Sequence, residues 1–320
     1  MHAAVYYETG SPDVFRYEEV PDPVVFPGAV LIDVEAISIE GGDTLNRLGG
    51  EMPSVPHIVG YQCAGTITEV GEGVTDRRVG QKVVATMFHG SHAERALSFA
   101  ATTWLIPDGA DVVACACVPV AFGTAHDCLF EFGHLGAGET VLIQAGASGL
   151  GVAAIQLAHR AGARVFATAS SPARLEPLAR LGLDRGFDYS SDGWVDEIRS
   201  ATDLRGVDLV VDSVGGRILG GSLASLAYRG RAVTVGSAGR EEDHLDRGLL
   251  SASNLSLTGV FLGAEIATTR AQMMIGALVD DVARGHLEVL VDRTFPLAEA
   301  GAAHAFIESR QAIGRVVLVP

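Results

Sequence analysis

The rhythm of apolar positions changes once along the chain. Before about residue 120, short segments alternate apolar and polar side chains, as in 30–39 (VLIDVEAISI) and 65–70. A period of two belongs to strands with one buried face. Gly and Pro punctuate these segments, at Pro21-Asp22-Pro23 and Gly71-Glu72-Gly73, so a β-rich, barrel-like domain is expected there. From about residue 140 the pattern becomes strand, helix, strand, helix. The runs 141–145 (VLIQA), 164–169 (RVFATA), 207–214 (VDLVVDSV) and 231–236 (RAVTVG) are nearly all apolar, as strands buried on both faces of a parallel sheet must be. Helical stretches are predicted between them at 152–161, 173–181, 196–202 and 218–228. Right-handed crossovers then give a doubly wound α/β sheet. A long helix is predicted at 266–284 and a last strand in the closing VVLVP. This tail is expected to return to the first domain, which makes that domain discontinuous: 1–119 with 264–320, around 120–263.

One turn in the second half carries chemistry. Gly146-Ala147-Ser148-Gly149-Leu150-Gly151 follows a strand and opens a helix, the context that a dinucleotide fingerprint requires. Small residues let the backbone approach a pyrophosphate, and unpaired N–H groups at the helix start face its charge. Ser148 stands where the strict G-x-G-x-x-G pattern has its second glycine; its hydroxyl can donate to a phosphate. The other reading of this stretch is a tight turn alone. The next strand ends in Ala169-Ser170-Ser171, followed by Arg174, and no acid occurs before Glu176. An NAD site usually has Asp or Glu there to hold the ribose 2′-OH. Hydroxyls and a guanidinium suit a 2′-phosphate instead, and Tyr189 is a further candidate for it. The expected cofactor is NADPH; the bland alternative for Arg174 is a solvated helix residue.

Composition narrows the partners. Of 320 residues, 48% are hydrophobic, enough for two cored domains. The net charge of −16 repels nucleic-acid phosphates and anionic lipids. The longest uncharged apolar stretch, 112–125, is too short to span a bilayer, and the first residues lack the basic-then-apolar order of a signal peptide. A soluble, cytoplasmic protein is expected, with neither nucleic acid nor membrane as partner. Cys63, Cys115, Cys117 and Cys128 show no C-x-x-C spacing and read as buried small side chains. Ser148 is followed by Gly149-Leu150-Gly151, so Leu150 stands where a G-x-S-x-G nucleophile elbow needs its second glycine.

With these residues placed, the chain resembles the medium-chain dehydrogenase/reductase superfamily, and within it the zinc-independent quinone oxidoreductase branch that includes zeta-crystallin-like proteins. The resemblance covers nearly the whole chain. It rests on V-G-E-G-V at 70–74, V-G-Q-K-V at 79–83, G-E-T-V-L-I-Q at 138–144, G-A-S-G-L-G-V-A-A-I-Q-L-A from Gly146, G-V-D-L-V-V-D-S-V-G-G from Gly206, and the C-terminal F-P-L-A-E-A…G-R-V-V-L. It implies a Rossmann domain and a GroES-like catalytic domain with the active site in the cleft between them. Zinc-dependent members place Cys, His and Cys at positions that match Glu40, Tyr61 and Val120 here, and the four-cysteine structural loop is missing. No catalytic zinc is therefore expected.

The chain also departs from the quinone reductase pattern. That branch often carries Asn where Glu40 stands, and Leu45 occupies the place of a branch tyrosine. Glu40 reads as an acid or polar gate beside the nicotinamide, or as a charged residue turned to solvent at a strand end. Tyr61 reads as a hydrogen-bond donor to a substrate carbonyl, or as a wall residue filling the vacated metal space. Thr124 matches a family threonine near the nicotinamide; its bland role is a back-bond to the preceding helical turn. Val214, Gly236 and Ser237 lie at carboxyl ends of predicted strands, where open α/β sheets bind ligands. Phe261 to Gly263 resembles the segment that meets the carboxamide, and Arg310 matches a cofactor phosphate ligand. His57, His89 and His92 read as surface or satisfied histidines, and Asp43 with Arg47 as a local i, i+4 ion pair.

The expected activity is NADPH-dependent hydride transfer to a quinone or an α,β-unsaturated carbonyl. An enoyl-thioester reductase and a non-catalytic NADPH-binding sensor or structural protein are the rivals. A homodimer is implied by the resemblance, with an edge strand near 255–261 extending the sheet.

Overall fold

The computed structural model describes residues 1–242 and 245–320. The chain divides into two compact units, Met1–Gly123 with Ala264–Pro320, and Thr124–Gly263.

The first unit is built on strands β1 (His2–Tyr6), β2 (Arg16–Glu19), β3 (Ala29–Ser38), β4 (His57–Ile58), β5 (Gln62–Val70), β6 (Lys82–Thr86), β7 (Arg95–Phe99) and β8 (Thr103–Leu105). The second contributes β9 (Thr140–Ile143), β10 (Arg164–Ala169), β11 (Arg185–Asp188), β12 (Val207–Asp212), β13 (Leu226–Thr234) and β14 (Ser256–Gly259). The tail returns β15 (Val291–Pro296) and β16 (Arg315–Val319) to the first unit. There a seven-stranded sheet runs β15-β16-β3-β5-β6-β8, with β7 on β3. Strand β3 thus lies between β16, a neighbour from the far end of the chain, and β5. Both pairings are antiparallel, with Val317 opposite Ser38 and Ala64 opposite Ala36. The alternation expected along β3 is not matched by its burial: Ala29 to Ile32 and Ala36 to Ser38 are buried throughout, and only Asp33 and Glu35 turn outward; Val30 and Ile32 pack with Ile67 and Val83.

Helix α1 (Gly41–Gly49) follows β3, while α2 (Val112–Ala116) and α3 (Val118–His126) follow β8. All four cysteines are free and buried. His57 and His92 are buried and His89 is exposed. His92 Nε2 meets His304 Nε2 at 3.0 Å, so it is satisfied inside the core; burial holds His57 down at about 4 and His92 at about 3.

The second unit holds a six-stranded sheet in the order β11-β10-β9-β12-β13-β14, parallel throughout. This is the doubly wound order, with β9 and β12 at the point where the chain reverses direction across the sheet. Its core joins Leu142, Phe166, Val210 and Ala232 from four neighbouring strands. The crossovers include α4 (Gly149–Arg160), α5 (Trp194–Ala201) and α6 (Gly216–Ala224). The stretch expected as a helix at 173–181 forms two 3₁₀ turns, Pro172–Arg174 and Glu176–Leu181. Pro172 and Pro177 lack the N–H groups that a continuous α ladder would use there. The helix expected to reach residue 228 stops at Ala224, and Leu226 already pairs with Val207; tertiary pairing overrides the local apolar period. Helices α7 (Arg247–Ala252) and α8 (Leu262–Glu265) flank β14. In the tail, α9 (Thr269–Ala283) starts three residues later than expected, because Thr268 caps it by accepting from Ala271 N at 3.2 Å. The last helix is α10 (Ala300–Glu308).

Candidate active site

In the second unit, Ser148 is the N-cap of α4, and its Oγ accepts from Gly151 N at 3.0 Å. The hydroxyl proton stays available to a ligand. By helix geometry the N–H groups of Gly149 and Leu150 have no partner in the helix. The first turn carries no acid, and His159 and Arg160 sit in the last turn, so the positive end of the helix is unopposed. Gly151 is required: a Cβ there would lie 2.4 Å from Ala145 O and 2.6 Å from Gly146 O. A Cβ on Gly146 would fall 2.6 Å from the Ala167 Cβ. These two glycines let the helix start approach the strands closely, and the arrangement fits a pyrophosphate.

Around this turn the sheet presents its carboxyl ends. Ser170 and Ser171 follow β10; Tyr189 follows β11 and donates its N–H to Ala169 O at 3.1 Å. Arg174 N bonds Ser171 O at 3.2 Å. Four expected residues thus gather at the ends of two adjacent strands, Ser170 exposed and the others half-buried. Val214 follows β12, Gly236 has a positive φ of 78° in the turn after β13, and Ser237 is exposed beside it. Phe261 is 74% exposed just ahead of α8, which contains Gly263. Thr124 is buried in α3.

A buried polar chain beneath these strand ends has no signature in the sequence. Thr168 Oγ1 donates to Gln144 Oε1 at 2.5 Å, Gln144 Nε2 to Ser222 Oγ at 3.0 Å, and Ser222 Oγ to Asp212 Oδ2 at 2.7 Å. Asp212 Oδ1 then accepts from Val214 N and Gly215 N, both at 2.8 Å. The network ties β10, β9 and β12 together and fixes the turn that carries Val214.

In the first unit, Glu40 is 4% exposed at the N-terminus of α1, so the reading that turned it to solvent is overturned. Antiparallel pairing of β16 with the end of β3 brings Arg315 to it. The Arg315 guanidinium bonds Glu40 Oε1, donates to Ser38 Oγ at 3.1 and 2.6 Å, and reaches Ile39 O at 2.8 Å. Strand β5 delivers Gln62 from the other side: its Nε2 donates to Glu40 Oε1 at 3.2 Å, while its Oε1 accepts from Val120 N at 2.7 Å. Two of the positions that match zinc ligands in relatives, Glu40 and Val120, are therefore bridged by a glutamine side chain.

Tyr61 completes the cluster. Its hydroxyl lies 2.6 Å from where a Cβ on Gly42 would stand, and the Gly42 backbone faces the phenol oxygen. Burial, then Asp43 and Glu40, hold its ionisation well above the usual range, so the phenol stays protonated. Burial also raises Glu40, against the pull of Arg315, and raises Asp43 strongly. Asp43 Oδ2 accepts from Glu40 N at 2.8 Å. The ion pair made by Arg47 runs to Glu308 at 2.5 Å, across to α10, in place of the local pair with Asp43 that its spacing suggested. Arg310 is exposed after α10, with a positive φ of 58°.

Comparison with known proteins assigns the family. Residues 26–153 match the alcohol dehydrogenase GroES-like domain, and residues 149–278 match the zinc-binding dehydrogenase domain. A 2-haloacrylate reductase from Burkholderia sp. is 33% identical, over 99% of this chain and 98% of its own. The chain belongs to the medium-chain dehydrogenase/reductase superfamily, in its zinc-independent quinone oxidoreductase branch. A mycobacterial protein solved in complex with NADPH has a TM-score of 0.94 at 34% identity, with 100% of both chains covered. Escherichia coli quinone oxidoreductase complexed with NADPH also reaches 0.94, at 25% identity and the same coverage. Among the described residues, no helix is long and apolar enough to cross a membrane, and no three His, Cys, Asp or Glu side chains are grouped to hold a metal ion.

Proposed function

We propose that this protein is an NADPH-dependent, zinc-independent oxidoreductase that transfers hydride to a quinone or to the β-carbon of an α,β-unsaturated carbonyl. The observation that carries this reading is the capped glycine turn beside a strand end that offers hydroxyls and a guanidinium where an NAD site needs an acid. Similarity to proteins named quinone oxidoreductase and 2-haloacrylate reductase supports the acceptor class. In this reading residues 120–263 form the NADP-binding domain, and 1–119 with 264–320 the GroES-like catalytic domain.

Gly146, Ser148, Gly149 and Leu150 would hold the pyrophosphate, with Arg310 as a further phosphate ligand. Ser170, Ser171, Arg174 and Tyr189 would hold the 2′-phosphate. Thr124, Val214, Gly236, Ser237, Phe261 and Gly263 would contact the nicotinamide end. The bound nicotinamide supplies the hydride. The chain contributes position and hydrogen bonds. Tyr61 donates its phenol hydrogen to the acceptor oxygen as charge builds there, while the Gly42 backbone steadies the phenol. Glu40, fixed by Arg315 and Gln62, walls the acceptor's place. Water supplies the proton that completes the quinol or ketone. We further assign the protein to the cytoplasm as a homodimer, extended across the edge strand β14.

The test is oxidation of NADPH by the purified protein across a panel of quinones and enones. Turnover with at least one acceptor, and faster with NADPH than with NADH, is expected. Binding of NADPH without turnover on any acceptor would instead favour a sensor or structural protein.

A further inference from the structure

The cluster around Glu40 is unusual in its charge balance. Two buried carboxyls, Glu40 and Asp43, stand beside one guanidinium, Arg315. That guanidinium is already engaged by Glu40, Ser38 and the Ile39 carbonyl. The other buried arginine of the neighbourhood, Arg47, is held by Glu308 and by Gly10 O at 2.7 Å. Asp43 Oδ1 is buried with no hydrogen-bond partner among the described residues. A carboxylate brought against this surface would lose its water and meet carboxyls, with both cations bonded elsewhere. Desolvating an anion without a paired cation is strongly unfavourable.

We propose that the Glu40–Asp43–Arg315 cluster makes the enzyme selective for uncharged acceptors and rejects acceptors that carry a free carboxylate. This rests on the reading that the acceptor lies against Glu40 and Tyr61. It separates the chain from what the name of its 2-haloacrylate reductase relative implies. Glu40 stands where the branch often has a neutral Asn, so the selectivity is a property of this chain's own residues.

A matched pair of benzoquinones tests it, one bearing a carboxylate substituent and one bearing the corresponding carboxamide. The readout is the ratio of kcat/KM for the acid to that for the amide, compared between wild type and Glu40→Gln. Intrinsic reactivity of the two quinones cancels in that comparison. Wild type should favour the amide, and Glu40→Gln, which releases Arg315 from its anion, should raise the ratio about tenfold or more. Glu40→Asp keeps the charge and should leave the ratio near wild type, which separates charge from damage to the fold. An unchanged ratio in Glu40→Gln overturns the selectivity alone. NADPH oxidation with neither quinone overturns the acceptor reading, and the selectivity with it.

Discussion

The two candidate sites of this protein are built from different materials. The nucleotide turn at 146–151 is made of backbone: a capped helix start, two glycines that admit no Cβ, and open N–H groups. The Glu40 cluster is made of side chains drawn from residues 38, 40, 61, 62 and 315, assembled by sheet pairing. A backbone site must leave its mark in consecutive residues, because only certain residues permit the conformation. A side-chain cluster leaves no local mark, since any strand can carry a polar residue at its end. The first kind is disrupted by a methyl group at Gly146 or Gly151. The second depends on the balance of its buried charges.

The sharpest way to break this contrast is Arg315→Met. It leaves the Glu40 carboxylate buried without its cation. Removing one partner of a buried pair costs about 3–5 kcal/mol, so a clear drop in the urea midpoint is expected. The double variant Glu40→Gln with Arg315→Met should regain much of that loss, because the uncompensated anion is gone. A fall below about 1 kcal/mol for Arg315→Met, the value of a surface pair, would mean that the cluster is solvated and that the contrast is overstated.

Next in size is Arg174→Ala, which probes the nucleotide region by charge. Loss of a charge-assisted contact to a 2′-phosphate should weaken NADPH binding about tenfold to a hundredfold. NADH has no such phosphate, and its dissociation constant should hardly move. Fluorescence titration of both cofactors decides the matter; equal effects on the two would remove Arg174 from the 2′-phosphate site.

Legibility followed the same division. The glycine turn, the strand order it implies and the missing acid after β10 could all be read from adjacent residues. The apolar runs found each of the four strands they marked, with shifted ends, because an all-buried parallel strand is nearly continuous in Val, Leu and Ile. Glu40 and Tyr61 were identifiable only by their departure from the family pattern, and their partners were not identifiable at all. Arg315 lies 275 residues from Glu40, and in sequence it is one more arginine before a strand. The chain Thr168–Gln144–Ser222–Asp212 was invisible for the same reason. Gln144 and Thr168 sit among apolar strand residues, and only the parallel register sets them side by side. The 3₁₀ turns after β10 could have been foreseen, since Pro172 and Pro177 mark them.

The smallest expected effect comes from Ser148→Ala, and it asks how far the backbone alone makes the nucleotide site. Ser148 Oγ caps α4 by accepting from Gly151 N, and loss of such a cap costs about 1 kcal/mol. The same substitution removes a donor to the pyrophosphate, but it also releases the Gly151 N–H, which then faces the ligand. The two changes partly offset, so binding should weaken only about fivefold, the value of one ordinary hydrogen bond. NADPH and NADH should weaken alike, because both carry the pyrophosphate and the 2′ position is untouched. A much larger loss would mean that the Ser148 side chain, and not the helix start, holds the cofactor. In that case the nucleotide region would be closer in kind to the Glu40 cluster than its glycines suggest.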